Sequence, residues 1–290
     1  MVPLLEPALL RRLEALALQV RRAVSGQMGG ERRSRRRGQS VEFADFRNYT
    51  PGDDFRLIDW NAYARLDRFM LRLFVAEEEL PLSVFVDLSG SMDWGKPNKA
   101  ETARRLAGAI AYVALAALDR VRLTVFAEGP TSGGAPYRGR RAAAQLFARL
   151  QSFPSGGVTN YEKLVWPIGR QRAGMSVLIS DGLGESPIDP ALTALQRAHQ
   201  EGAVLQLLAP QELTPDWSGD ARLKDVETGV EREFTATPLT QGSYLRALAQ
   251  RSEDIERAAL RRGLRFARLS TAEPIDEMVQ ITLRRIGLLA

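Results

Sequence analysis

The chain holds no cysteine and a single histidine in 290 residues. Without cysteine there are no disulfides, zinc fingers, iron–sulfur clusters or thiol nucleophiles, and the composition suits a reducing compartment. One imidazole, His199, excludes HExxH zinc sites and every centre that needs several histidines. Lysine is scarce too: Lys96, Lys99, Lys163 and Lys224 stand among 40 basic residues, the rest being arginine. That usage lifts the pI to 9.8, yet the net charge is only +5, too mild to imply nucleic acid by itself. Long apolar runs are also missing. The longest, Leu106 to Leu118, falls short of the roughly 18 residues a membrane span requires and reads as a buried helix. The opening stretch sets Leu5, Leu9, Leu13, Leu16 and Val20 on one helical face, interrupted by Glu6 and Glu14. It has no basic start ahead of a small-residue cleavage site, so it does not read as an export signal. The expectation is a soluble, cytoplasmic protein.

What is present is a regular alternation. After a first helix (about 4–24) comes a basic run, Arg32, Arg33, Arg35, Arg36 and Arg37, which is either a solvated segment or an anion contact. A segment rich in turn residues and aromatics follows, ending in a strand at Phe69–Ala76. From Pro81 onward the spacing predicts strands at Leu82–Val86, Val121–Ala127, Met175–Ser180, Ala203–Ala209 and Leu264–Leu269. Helices are predicted between them, at Pro97–Leu118, near 140–152 and 160–171, at Asp189–Glu201, 238–262 and 274–287. Continuous apolar strands alternating with helices mean an α/β fold, a mainly parallel sheet covered on both faces. Residues 211–237 break the rhythm: Asp216, Asp220, Asp225, Glu227, Glu231 and Glu233 flank a Thr-Gly turn. They read as an acidic hairpin near one sheet edge, either a partner surface or a solvated loop. The domain reading is 1–79 as an N-terminal helix and extension packed on the main domain, and 80–290 as that domain.

Two predicted strands end in aspartate, Ser83-Val84-Phe85-Val86 into Asp87 and Val177-Leu178-Ile179-Ser180 into Asp181. Ligands of open parallel sheets gather at the carboxyl ends of strands, where the strand order reverses. Asp87, Ser89 and Ser91 alternate along the loop that leaves the first strand, and Gly156-Gly157-Val158-Thr159 delivers a further hydroxyl from a glycine-loosened loop. Taken alone, serine after a strand is a common helix cap. Together, Asp87, Ser89, Ser91, Thr159 and Asp181 form an all-oxygen donor set suited to Mg²⁺ or Mn²⁺ rather than zinc. With only two carboxylates, such a cation stays electrophilic and can accept an acidic side chain from a partner. The match Gly90 to Gly95-Lys96 with GxxxxGK is rejected as a nucleotide loop. Pro97 stands where a magnesium-binding hydroxyl is required and lacks an N–H; it reads as a first-turn helix proline.

The set Asp87-Leu88-Ser89-Gly90-Ser91, Thr159 and Asp181 resembles the metal-ion-dependent adhesion site of von Willebrand factor A domains. Upstream, Glu42-Phe43, Arg47-Asn48-Tyr49, Pro51-Gly52-Asp53-Asp54, Arg56, Ile58-Asp59-Trp60 and Ala64-Arg65 resemble the bacterial family called domain of unknown function 58. The resemblance implies a Rossmann-like A domain in which the two serines and the threonine touch the metal and the aspartates act directly or through water. It also implies a working partner, an AAA+ ATPase of the MoxR type. Many relatives carry transmembrane helices ahead of this region; none is read in this sequence, and membrane attachment is not carried over. The Pro51-Gly52-Asp53-Asp54 turn and Asp59-Trp60 read as a brace through Arg56 and Arg65, or as a second binding feature.

The resulting expectation is a non-enzymatic, Mg²⁺-dependent protein-interaction module. The alternative is an RNA or polyanion binder working through Arg32–Arg37. A metal-dependent hydrolase ranks last for want of a general base.

Overall fold

In the computed structural model the described residues are 3–19, 42–51, 53–75, 80–132, 134–171, 173–227 and 229–290. The Arg32–Arg37 run lies outside them. Two compact units form, Met1–Val20 with Leu80–Ala290, and Arg21–Glu79.

The chain begins with α1 (Pro7–Leu13). This helix is shorter than its leucine spacing predicts. Beyond it the backbone is claimed by the C-terminus: Ala17 and Gln19 N–H groups donate to Ala290 and Leu288 carbonyls, and Leu18 bridges Leu289. Leu16 therefore leaves the helical face, and Val20 is outside the described residues. Leu9 and Leu13 pack into the core of the larger unit, and Glu14 accepts the Tyr112 hydroxyl at 2.8 Å. The helix thus belongs to the main domain, not to the extension with which the sequence grouped it.

The smaller unit pairs β1 (Glu42–Asn48) antiparallel with β2 (Met70–Val75), around the short α2 (Trp60–Leu66). Asp53, Asp54 and Asp59 hold local structure. Asp53 accepts from the Thr50 hydroxyl and amide and from Arg47, which holds its carboxyl down at about 2. Asp54 takes the Arg56 N–H, and Asp59 caps α2 through the Asn61 and Ala62 N–H groups. Tyr63 stacks on Phe69 with ring centroids 4.5 Å apart.

The larger unit continues with β3 (Pro81–Asp87), α3 (Lys99–Ala116), β4 (Arg120–Phe126), β5 (Pro130–Ser132), β6 (Tyr137–Arg138), α4 (Ala143–Ser152) and α5 (Val165–Gly169). Then come β7 (Met175–Ser180), α6 (Asp189–Arg197), β8 (Glu201–Leu208), α7 (Pro210–Leu213), β9 (Gly219–Lys224) and β10 (Glu231–Ala236). The chain closes with α8 (Pro238–Arg261), β11 (Arg265–Ser270), α9 (Ile275–Glu277) and a π-helical turn, Met278–Leu283.

The main sheet runs β11-β8-β7-β3-β4-β5, with β6 also on β4. Its first five strands are parallel; β5 and β6 pair antiparallel. Side chains alternate between two cores. Leu82, Val84 and Val86 of β3 point to α1, α3 and α4, whereas Phe85 joins α5, α6 and α8 on the other face. The expected α/β architecture with helices on both faces is therefore observed.

One local reading changes. The Asn98 side chain caps α3 by accepting the Glu101 N–H at 3.0 Å, so Pro97 sits before the cap rather than in the first turn. The expected acidic hairpin is present as β9–β10, a two-stranded sheet of its own. It is less acidic than its sequence suggests, because Arg222 pairs with Glu231 and Glu233.

Candidate functional site

The order of the sheet fixes where a site can form. From β3 the chain crosses through α3 to β4 on one side, and β7 returns on the other. The register Leu82↔Met175 through Val86↔Ile179 sets β3 and β7 side by side. Their carboxyl ends thus present Asp87 and Asp181 together at the reversal of strand order, where loops diverge and leave room for a ligand.

Asp87 is fully buried. Its Oδ1 accepts the Ser89 N–H at 2.9 Å, and its Oδ2 accepts the Ser180 hydroxyl at 2.6 Å. Ser180 has spent its only proton on Asp87, so the Tyr161 hydroxyl 2.6 Å away must donate to it. Burial pushes the Asp87 carboxyl up to about 7; the neighbouring Asp181 charge adds to this, and the Ser180 and Ser89 hydrogen bonds oppose it. Tyr161, buried beside the same two carboxylates, is held well above the usual phenol range.

The hydroxyls converge on one point. Ser89 Oγ lies 3.1 Å from Ser91 Oγ and 2.8 Å from Thr159 Oγ1, and Thr159 Oγ1 lies 3.4 Å from Asp87 Oδ2. Ser89 and Thr159 are buried, and Ser91 is half-buried. The two loops that carry them are pinned together by backbone: Gly90 N–H donates to Gly157 O and Gly156 N–H to Leu88 O, both at 2.8 Å.

Asp181 is placed differently. Its Oδ1 accepts the Leu183 N–H at 3.1 Å, and its Oδ2 is held by the Lys99 ammonium at 2.7 Å. Lys99, in the first turn of α3 and 1% exposed, also binds Glu212 Oε1 at 2.6 Å. Burial pulls the lysine pKa down, but the Asp181 and Glu212 carboxylates outweigh it and keep the ammonium charged. Glu212, by contrast, is pushed up by burial against the pull of Lys99 and the Ala209 amide. Of the five residues singled out in the sequence, Asp87, Ser89, Ser91 and Thr159 thus share one network. Asp181 adjoins it, and among the described residues no hydrogen bond joins its carboxylate to the other four.

Sequence reasoning missed Lys99, Ser180, Tyr161 and Glu212. Lys99 carried a signal: one of few lysines in an arginine-rich chain, in the first turn after the Asp-x-Ser-x-Ser loop. It placed Glu227 in an acidic stretch without a target. In the structure Glu227 Oε1 accepts the Thr159 hydroxyl at 2.8 Å, and its Oε2 lies 3.3 Å from the Thr159 amide.

The site is made of oxygens plus one ammonium. Among the described residues no three His, Cys, Asp or Glu side chains are grouped to hold a metal ion, so any cation here would depend on hydroxyls. His199 sits just before β8, at the amino-terminal end of the sheet, with φ +52°. Among the described residues no helix is long and apolar enough to cross a membrane.

Comparison with known proteins gives a consistent family. Residues 45–254 match the family described as protein of unknown function DUF58. Uncharacterized protein Mb1516 of Mycobacterium bovis is 30% identical over 297 residues, covering 98% of this chain and 92% of that protein. Among solved structures, the conserved hypothetical protein BatB of Bacteroides thetaiotaomicron is similar over 72% of this chain and 98% of its own, with 17% identity and a TM-score of 0.43. A von Willebrand factor type A protein from Catenulispora acidiphila is similar over 75% of this chain and 43% of its own, with 14% identity and a TM-score of 0.43.

Proposed function

The chain belongs to the protein family of unknown function DUF58, and on that premise we propose that it is a non-enzymatic protein-interaction module that docks its partner through a divalent cation. The observation that carries this reading is the convergence of the Ser89, Ser91 and Thr159 hydroxyls beside Asp87 at the ends of adjacent parallel strands. Three neutral hydroxyls and buried carboxylate oxygens match the preference of Mg²⁺ or Mn²⁺ for hard ligands. Ser89, Ser91 and Thr159 would hold the ion, with Asp87 and Asp181 acting directly or through water. When bound, the cation supplies a positive centre able to take a carboxylate as a further ligand.

The chain's own groups prepare that task. Lys99 offsets part of the charge of Asp181 and Glu212, which reduces the excess negative charge beside the hydroxyls. An ion held there keeps its attraction for an acidic side chain. The resemblance to the family supplies the partner class, a MoxR-type AAA+ ATPase. The hydrolase reading is not favoured: His199 lies at the opposite end of the sheet from Asp87, and the further carboxylate at the site, Glu227, is engaged by the Thr159 hydroxyl and amide. The polyanion reading rests on Arg32–Arg37, outside the described residues.

The test is binding to a purified MoxR-type ATPase with Mg²⁺ or with EDTA, using wild type and Asp87→Ala. Binding is expected in Mg²⁺ only, and for wild type only. Equal binding in EDTA would remove the cation from the account.

A further inference from the structure

We propose that Glu227 is an internal acidic ligand of this site: its carboxylate stands where a partner's acidic side chain would dock, and the β9–β10 turn must lift before a partner engages. The inference rests on the divalent-cation reading above and names the group that controls access to it.

Contact is the first support. Thr159 is 1% exposed and touches Ser89, yet its hydroxyl and amide both face Glu227, a residue 68 positions away. A carboxylate from the turn of a separate sheet thus closes on a buried hydroxyl of the cluster. Asp87 and Glu227 touch the same Thr159 hydroxyl. A divalent cation among the hydroxyls would lie between the two carboxylates and attract both.

Fit is the second support. Asp225 Oδ1 accepts the Glu227 N–H at 2.8 Å, and the Asp225 N–H donates to Val230 O at 2.9 Å. This closed turn aims Glu227 inward while Val226 and Val230 remain exposed. The loops beneath leave room through glycine. A Cβ on Gly90 would lie 3.3 Å from the Val226 carbonyl oxygen. One on Gly184 would lie 3.2 Å from Thr159 Cβ and 3.5 Å from Glu227 Oε2.

The two ends of the hairpin are held differently. At its base Trp217 packs edge-on against Phe234 and Tyr244, with centroids 5.3 and 4.8 Å apart. At its tip the Glu227 carboxylate meets Thr159 and the Val226 backbone lies over Gly90. Such a device can open at the tip without unfolding the base.

The experiment is Mn²⁺ titration of the full chain by electron paramagnetic resonance, with hydrogen exchange of peptides spanning 219–236. Wild type, Glu227→Gln, Glu227→Ala and Asp87→Ala are compared, and acetate serves as a free carboxylate probe. Mn²⁺ is expected to slow exchange in the wild-type hairpin and leave it unchanged in both Glu227 variants. Those variants should bind Mn²⁺ roughly tenfold more weakly, since ligand charge sets cation affinity. Acetate should restore affinity to them and not affect wild type. Glu227 variants that bind Mn²⁺ as tightly as wild type and show the same Mn²⁺-induced slowing of hairpin exchange, with Mn²⁺ binding lost in Asp87→Ala, would overturn this inference alone. A wild type that binds no Mn²⁺ would overturn the cation reading and this inference with it.

Discussion

Lys99→Met removes the ammonium beneath the site while keeping an apolar stem of similar length. The charge is 1% exposed and lies 2.7 Å from Asp181 Oδ2 and 2.6 Å from Glu212 Oε1. At an effective dielectric constant near 20, each contact is worth about 6 kcal/mol of gross Coulomb attraction. Most of that is cancelled by the desolvation the lysine already suffers. Removing one member of a buried pair has a net cost of about 3–5 kcal/mol, because the remaining charge is left uncompensated. For a unit of this size that is a fall in Tm of roughly 6–20 °C. The sign of the pH dependence follows. Without Lys99 the main pull against the burial that already pushes Glu212 up is gone, so it keeps a proton in the folded state that it releases on unfolding, and the loss should be smaller at pH 5 than at pH 8. Adding Glu212→Gln to Lys99→Met removes one orphaned charge and should recover part of it. The assay is urea unfolding followed by circular dichroism at both pH values. A cost below about 1 kcal/mol, or one independent of pH, would refute the claim that Lys99 offsets the charge of these buried carboxylates.

Two other perturbations probe different links. In EDTA the wild type should lose stability as pH rises between 3.8 and about 7. Over that window the folded Asp87 retains a proton that the unfolded chain has released. Urea midpoints across that range check it, and saturating Mg²⁺ should flatten or reverse the slope. Gly202→Ala tests the sheet itself. Gly202 has φ +140°, and a Cβ there would come 1.7 Å from the Ser176 carbonyl oxygen on β7. A cost of about 3 kcal/mol or more is expected from thermal unfolding, and a variant as stable as wild type would mean this strand pairing is wrong.

The parts of the molecule legible in the sequence are those where local pattern and tertiary need coincide. β3 and β7 are buried on both faces, so each reads as a continuous apolar run that stops at its aspartate. α3 and α8 carry caps and apolar spacing over many turns. Where the two diverge, pattern misleads. The leucine spacing after Leu13 still looks helical, but Leu18 is drawn into a bridge with Leu289, a partner at the far end of the chain. β5 and β6 are too short to show a period. The site divides in the same way. Asp87, Ser89 and Ser91 share a loop and are visible as a motif; Thr159 is marked by its glycine-loosened loop, and Asp181 by the end of a strand. Lys99, Glu212 and Glu227 act through contacts made across the fold, and nothing local marks a charged residue as buried. The acidic stretch was plain in the sequence. That Glu227 turns inward is a consequence of the Asp225 turn and the space over Gly90 and Gly184.

The central claim is that a divalent cation sits among the Ser89, Ser91 and Thr159 hydroxyls beside Asp87. Anomalous diffraction from crystals grown with Mn²⁺ tests it most directly. The account predicts a single strong peak within coordination distance of those three hydroxyl oxygens, absent in Asp87→Ala crystals. Manganese bound elsewhere with this cluster empty, or a peak that persists in Asp87→Ala, would contradict it.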